Sequence, residues 1–125
     1  MKHYLHIVCQ SMSFLLPLSK VDHILVKDTV LQEKTVYSLS QLLCLKQRKE
    51  DYIILFVDSP IALYTEEVKD VCIVKDRDIM ALRHPILLRS VPFVQAVAMM
   101  PDTIAYVLDI QKLLEVRGLE RKEKT

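Results

Sequence analysis

Residues 52–65 read YIILFVDSPIALYT and indicate a β-hairpin. Tyr52 to Val57 is the clearest strand of the chain, and Ile61 to Thr65 returns as its partner. Asp58-Ser59-Pro60 lies between them and contains the residue types that favour turns. We therefore predict two antiparallel strands, with Val68 to Val74 as the third strand of the same meander.

The chain before this hairpin reads as further short strands and one turn of helix. A polar break at Ser11 to Ser13 separates two strands, so we expect an opening hairpin whose turn contains no glycine. Helical spacing begins at Leu39, with Ser38 as its N-cap. The predicted strands are Tyr4 to Gln10, Phe14 to Leu18, Val21 to Val26 and Thr35 to Leu39.

The carboxyl-terminal part again combines strands with a short helix, which Asp109 is expected to cap. Lys75 to His84 is polar and has room for a short helix. Eight or nine short strands with two or three short helices predict an all-β, barrel-like domain. The remaining predicted elements are strands at Phe93 to Met100 and Thr103 to Leu108 and a helix at Ile110 to Val116.

Length, composition and charge limit the class of protein. The chain has 125 residues, 51% hydrophobic and 26% charged, so we expect a single domain over residues 1–116 and a charged tail at 117–125. The net charge of +1 argues against nucleic-acid binding, and no apolar run is long enough for a membrane helix. Three widely spaced cysteines do not resemble a disulfide framework, which favours a cytoplasmic location.

No pattern of residues points to catalysis, a cofactor or a metal. A single glycine in the whole chain excludes phosphate-binding glycine loops. His3 and His6 are three apart on a strand and so face opposite ways, and the neighbouring Glu66 and Glu67 also point apart. The cysteines lie among apolar residues, where thiols are usually inert. We therefore predict no catalytic residue, no metal and no cofactor.

Four stretches of sequence follow one another in the order that a known family shares. They are Phe14 to Leu18 with Val21 and Ile24, Ile61 to Val71, Phe93 to Ala98, and Thr103 to Leu114. Together they resemble the CheW family of chemotaxis adaptors. Glu66 stands where the family usually has Asp, and Ala96 replaces a glycine of the family's aromatic-Ile-x-Gly-Val-Ala strand.

The resemblance implies a fold of two small SH3-like, five-stranded barrel halves around a shared core. It also implies a non-enzymatic adaptor that couples the cytoplasmic tips of chemoreceptors to the regulatory domain of a CheA-type histidine kinase. The receptor-binding groove would lie at Val21, Ile24 and Val26. The kinase-docking edge would lie at Ile61, Leu63 and Val71.

The sequence departs from the family between Ile24 and Val36, where the family has a longer connection that contributes to partner binding. One alternative is therefore a divergent regulator or competitor that binds only one of the two partners. A second alternative, from another class, is a redox-sensing or metal-binding module that uses Cys9, Cys44 and Cys72.

Overall fold

The computed structural model describes residues 2–26, 35–43, 49–81 and 93–113, and these residues form ten β-strands. The all-β prediction is therefore confirmed. Short connections join the strands: 3-10 turns at Leu18–Lys20 and Asp76–Asp78 and a helix, α1, at Leu39–Leu42. The strands are β1 (Lys2–Cys9), β2 (Met12–Pro17), β3 (Val21–Val26), β4 (Thr35–Ser38), β5 (Tyr52–Phe56), β6 (Ile61–Thr65), β7 (Glu67–Val74), β8 (Ile79–Ala81), β9 (Val94–Met99) and β10 (Ile104–Leu108).

The strands form two sheets. The larger sheet has the order β7-β1-β2-β10-β9-β8, and the smaller sheet has the order β3-β5-β6-β4. Neighbours are antiparallel except for β10 with β2 and β4 with β6, which are parallel. The described strands thus divide as six and four, where the family resemblance implied five in each half.

β7 lies in the six-stranded sheet and not in the meander of β5 and β6, where the sequence placed it. It pairs with β1, with Val71 opposite Leu5. Between β6 and β7, the Glu66 carboxylate accepts a hydrogen bond from the backbone N–H of Gln10 in the β1–β2 turn. The backbone ladder with β1 runs from Val74 to Glu67, and the Glu66 contact adds to it at the start of β7.

Both faces of β2 are buried at its centre, which accounts for the apolar run Phe14-Leu15-Leu16, and both faces of β1 are buried at Tyr4 and Leu5. One face packs on the four-stranded sheet and forms the first core cluster. The other face forms a second cluster with β7, β9 and β10, so the six-stranded sheet curves around it. The first cluster includes Leu5, Ile7, Phe14, Leu16, Ile54, Phe56, Ile61 and Leu63, and the second includes Tyr4, Leu15, Val74, Ala96, Ala98, Ala105 and Val107.

The opening hairpin turns without glycine. Gln10 and Ser11 have positive φ angles of 56° and 64°, the signs that a tight two-residue hairpin turn requires. This conformation is unfavourable for residues with a Cβ atom. Gln10 compensates for it, because its backbone N–H donates to Glu66 and its side-chain amide donates to the Ser40 hydroxyl at 3.3 Å. Tertiary contacts therefore fix the turn.

Both predicted helix caps are present. Ser38 accepts a hydrogen bond from the Gln41 N–H, and Asp109 accepts one from the Lys112 N–H, each at 3.3 Å. The final helix is described as far as Leu113, and the tail at 117–125 lies outside the described residues. β8 was missed, because it has only three residues and lies inside a polar stretch that indicated a short helix.

Candidate functional site

The three residues proposed for a receptor groove lie together on β3, an edge strand that pairs only with β5 among the described strands. Val21 is half-buried against the first core cluster. Ile24 and Val26, two residues apart, are exposed on one face of the strand. An edge strand with exposed apolar side chains is a surface that a protein partner can cover.

A cleft of about 480 Å³ lies between the two sheets, next to the start of β3. Pro17 lines it from the end of β2, Lys20 from the β2–β3 connection and Ser59 from the β5–β6 turn. Gln95 lines it from β9, and Asp109 from the cap of the final helix. Because Val21 directly follows Lys20, the apolar edge of β3 begins at this cleft. Val21, Ile24 and Val26 themselves do not line this cleft.

The residues proposed for kinase docking are not brought together. Ile61 and Leu63 are only 2% and 1% exposed and belong to the first core cluster on β6. Val71 is 51% exposed and lies on β7 in the other sheet. The side chains of Ile61 and Leu63 therefore contribute to the core and offer no surface to a partner, whereas Val71 is available.

The sequence did not single out Ile73, which is exposed two residues after Val71 and lies on the same face of β7. Both side chains are on the face of the larger sheet that packs on the smaller sheet at β1, since Val71 is opposite Leu5. On this face of β7, Val71 and Ile73 are exposed, whereas Val68 packs against the first core cluster. The sequence signal for such a surface is an apolar residue at every second position of a strand. A strand that buries one face against the core has the same pattern, so the sequence does not distinguish the two.

A polar cluster at the opening turn contains the buried thiol of Cys9. The Cys9 Sγ and Ser40 Oγ atoms are 3.1 Å apart, and Glu66 lies nearby through its bond to Gln10. The pKa of the Cys9 thiol is raised to about 11, mainly by burial; the Ser40 hydrogen bond lowers it, and the Glu66 and Glu50 carboxylates add to the increase. Because the thiolate is the nucleophile and the metal ligand, this environment suits a structural thiol.

We expect Cys9 to be nearly inert in the native protein. In a variant with Cys44→Ser and Cys72→Ser, labelling of Cys9 by a maleimide at pH 8 should be at least about a hundredfold slower than in denaturant, because both burial and a raised pKa reduce the reactive thiolate.

The matched control for this measurement retains Cys72 as the single cysteine. Cys72 is half-buried, and burial followed by the Asp70 charge raises its pKa, so it should label faster than Cys9 and slower than an unfolded thiol. If native Cys9 is labelled as fast as in denaturant, it is not a buried structural thiol. That result would support the alternative of a redox-sensing module. Cys44 lies outside the described residues.

The other candidate side chains make structural contacts. His6 Nε2 is 2.9 Å from Ser13 Oγ, while the Glu67 carboxylate pairs with the Lys69 ammonium at 2.9 Å. No group of three His, Cys, Asp or Glu side chains in the described ranges is arranged to hold a metal ion. None of the helices in those ranges has the length and hydropathy needed to cross a lipid bilayer.

Comparison with known proteins identifies the fold. The sequence matches no protein-family model and no curated protein. The structure is similar to that of the scaffolding protein TtCheW from Thermoanaerobacter tengcongensis, with a TM-score of 0.71 over 86% of this chain and 88% of that one. Sequence identity over the match is 15%. The likeness shows that the chain has the CheW-like fold.

Proposed function

We propose, from the premise of a CheW-like fold, that this chain is a non-enzymatic adaptor that couples chemoreceptors to a CheA-type histidine kinase. The observation that carries the proposal is the similarity to a scaffolding protein over most of both chains. Such a protein acts by binding and coupling, so its effects come from interface burial and differential affinity. No cofactor is required, and the site of action is the cytoplasm.

Two separate surfaces support a coupling role. Ile24 and Val26 are exposed on β3, an edge strand of the smaller sheet, and we assign this edge to the receptor tip. Val71 and Ile73 are exposed on β7 of the larger sheet, and we assign this edge to the regulatory domain of the kinase. Because the two edges belong to different sheets, a partner bound at one edge leaves the other edge accessible to the second partner.

Calorimetry on the purified chain tests both assignments. We expect binding to the kinase regulatory domain of the same organism in the micromolar range, with Val71→Asp weakening it at least about tenfold because a charge would be buried in an apolar contact. Val26→Asp should leave that affinity unchanged and weaken binding to a receptor cytoplasmic fragment instead. Each variant is thus the control for the other.

Loss of both interactions in either variant would contradict the division into two surfaces. No binding to any such kinase domain or receptor of the organism would contradict the adaptor proposal itself. Both substitutions are at exposed positions, so unfolding is not expected to complicate the result.

The second candidate function is a regulator or competitor that binds one partner only. The short connection between Ile24 and Val36 favours it, because the family's longer segment contributes partner contacts that this sequence lacks. Co-purification separates the two roles. A coupler retains receptor and kinase together, whereas a competitor retains one and displaces a true adaptor from it.

A further inference from the structure

A set of buried hydrogen bonds joins the opening turn of the larger sheet to the smaller sheet. Thr65 on β6 donates to the Val8 carbonyl of β1 at 3.1 Å, and the Ser40 hydroxyl of α1 lies 3.1 Å from the Cys9 thiol. The Gln10 side-chain amide also donates to Ser40, at 3.3 Å. Because Thr65, Cys9 and Ser40 are fully buried, these contacts lie in the interior between the two sheets.

One end of this set of contacts lies at the edge that we assign to the kinase. Glu66 directly precedes β7, and its carboxylate accepts a hydrogen bond from the Gln10 backbone N–H. The exposed residues Val71 and Ile73 follow on the same strand. A partner that covers β7 therefore acts on the segment that carries Glu66.

The other end lies beside the edge that we assign to the receptor. Ser38 caps α1, the helix that carries Ser40, and donates to the buried Glu50 carboxylate at 2.6 Å. Glu50 lies just before β5, whose first residue, Tyr52, is opposite Val26 on β3. We call these contacts the turn network, and its members are Val8, Cys9, Gln10, Ser38, Ser40, Glu50, Thr65 and Glu66.

The centre of the turn network is a strained backbone. Gln10 and Ser11 both have positive φ angles, which residues with a Cβ atom adopt at a cost in free energy. The contacts of Gln10 with Glu66 and Ser40 offset this cost, so loss of either contact favours a relaxed turn. Coupling between two distant sites requires an element of this kind, with two arrangements whose equilibrium both sites shift.

We propose that the turn network couples the two binding edges, because the opening turn exchanges between the strained, bonded arrangement and a relaxed one. The inference rests on the proposed adaptor function and adds the route by which one partner affects the other. A partner at β7 holds Glu66 in place, and a partner at β3 holds the start of β5 beside Glu50. Each favours the bonded turn, and buried hydrogen bonds strengthen one another. Receptor and kinase therefore bind with positive cooperativity.

Calorimetry on the full chain measures this coupling. The dissociation constant of the kinase regulatory domain is determined for the free chain and for the chain saturated with a receptor cytoplasmic fragment. We expect binding to be at least about fivefold tighter in the second case. By thermodynamic linkage, the receptor fragment should gain the same factor when the kinase domain is bound first.

Two substitutions should abolish the coupling in opposite ways. Glu66→Ala removes a contact that holds the turn, so each partner should bind with the weaker affinity whether or not the other is present. Ser11→Gly removes part of the conformational cost, because glycine accepts positive φ angles, and the Ser11 side chain is exposed. Its turn should stay bonded, so each partner alone should bind with the tighter affinity.

The matched control for the lost carboxylate is Asp102→Ala, since Asp102 is exposed in the β9–β10 turn of the same sheet. This control should keep the coupling factor of the wild type. Thermal unfolding checks that each variant is folded. If Glu66→Ala does not fold, Ser11→Gly still tests the proposal, because it leaves every contact of the turn network in place.

Three results would overturn the coupling. The wild-type chain binds both partners, but the presence of one leaves the affinity for the other unchanged or weaker; the coupling persists in Ser11→Gly or in folded Glu66→Ala; or the chain binds one partner only, as a competitor would. Absence of binding to either partner would instead contradict the adaptor proposal, and the coupling with it.

Discussion

Leu63→Asp should unfold the protein. Leu63 is buried in the first core cluster, on β6 opposite Ile54 of β5. Truncation of a buried leucine alone costs about 2–5 kcal/mol, and an unpaired carboxylate in the same place adds several more. A domain of this size is stable by about 5–15 kcal/mol, so most of its stability would be lost. Circular dichroism and thermal unfolding of the purified variant measure the effect.

Val71→Asp is the matched control, because it introduces the same charge on a strand of the other sheet at an exposed apolar position. We expect its free energy of unfolding to stay within about 0.5 kcal/mol of the wild type. A Leu63→Asp protein that is folded and has lost only kinase binding would contradict the placement of Leu63 in the core. It would support the kinase-docking edge that the sequence predicted at Ile61, Leu63 and Val71. An unfolded Val71→Asp protein would show that β7 is covered.

The order of strands was predictable from the sequence, because strand and turn signals are local. The YIILFVDSPIALYT stretch forms the β5–β6 hairpin, with Ile54 opposite Leu63. The partner of β7 was not predictable in the same way. Its sequence alternates like a third meander strand, whereas its partner, β1, lies about sixty residues away in the chain and is selected by long-range pairing.

The candidate site was harder to predict, because an apolar residue on a strand looks the same whether the strand is covered or not. Ile61 and Ile24 were both interpreted as docking residues, yet Ile61 is core and Ile24 is exposed. The difference lies in position within the sheet: β6 lies between β5 and β4, while β3 is at the edge. The position of a strand within a sheet depends on pairing with strands that are distant in sequence. The spacing of apolar residues within the strand does not reveal that pairing.

The same limit applies to the exposed apolar residues at the β9–β10 turn. Met99 and Ile104 flank this turn and were assigned to strands, but that pattern does not tell that each side chain is 47% exposed. In contrast, both helix caps were predicted, because an N-cap depends on residues three apart in sequence. Local contacts were predictable, and the choice of buried faces was not.

Ser38→Ala should destabilise the protein by about 2.5–4 kcal/mol, since the Ser38 hydroxyl makes two contacts. It accepts a hydrogen bond from the Gln41 N–H at the start of α1, and it donates one to Glu50 Oε1 at 2.6 Å. Loss of an N-cap costs about 1 kcal/mol, and loss of a buried hydrogen bond to a charged group costs about 1.5–3 kcal/mol. Denaturant unfolding of the variant measures the sum.

A double-mutant cycle with Glu50→Gln separates the two contributions. Glu50 is a buried carboxylate, so removal of the Ser38 donor leaves its charge less well stabilised, whereas a neutral glutamine amide has less to lose. Ser38→Ala should therefore cost less in the Glu50→Gln background, close to the cap contribution alone. Ser19→Ala, an exposed serine in the β2–β3 connection, should cost almost nothing. Equal costs of Ser38→Ala in both backgrounds would mean that the Ser38–Glu50 bond adds no stability, and that Ser38 acts only as a helix cap.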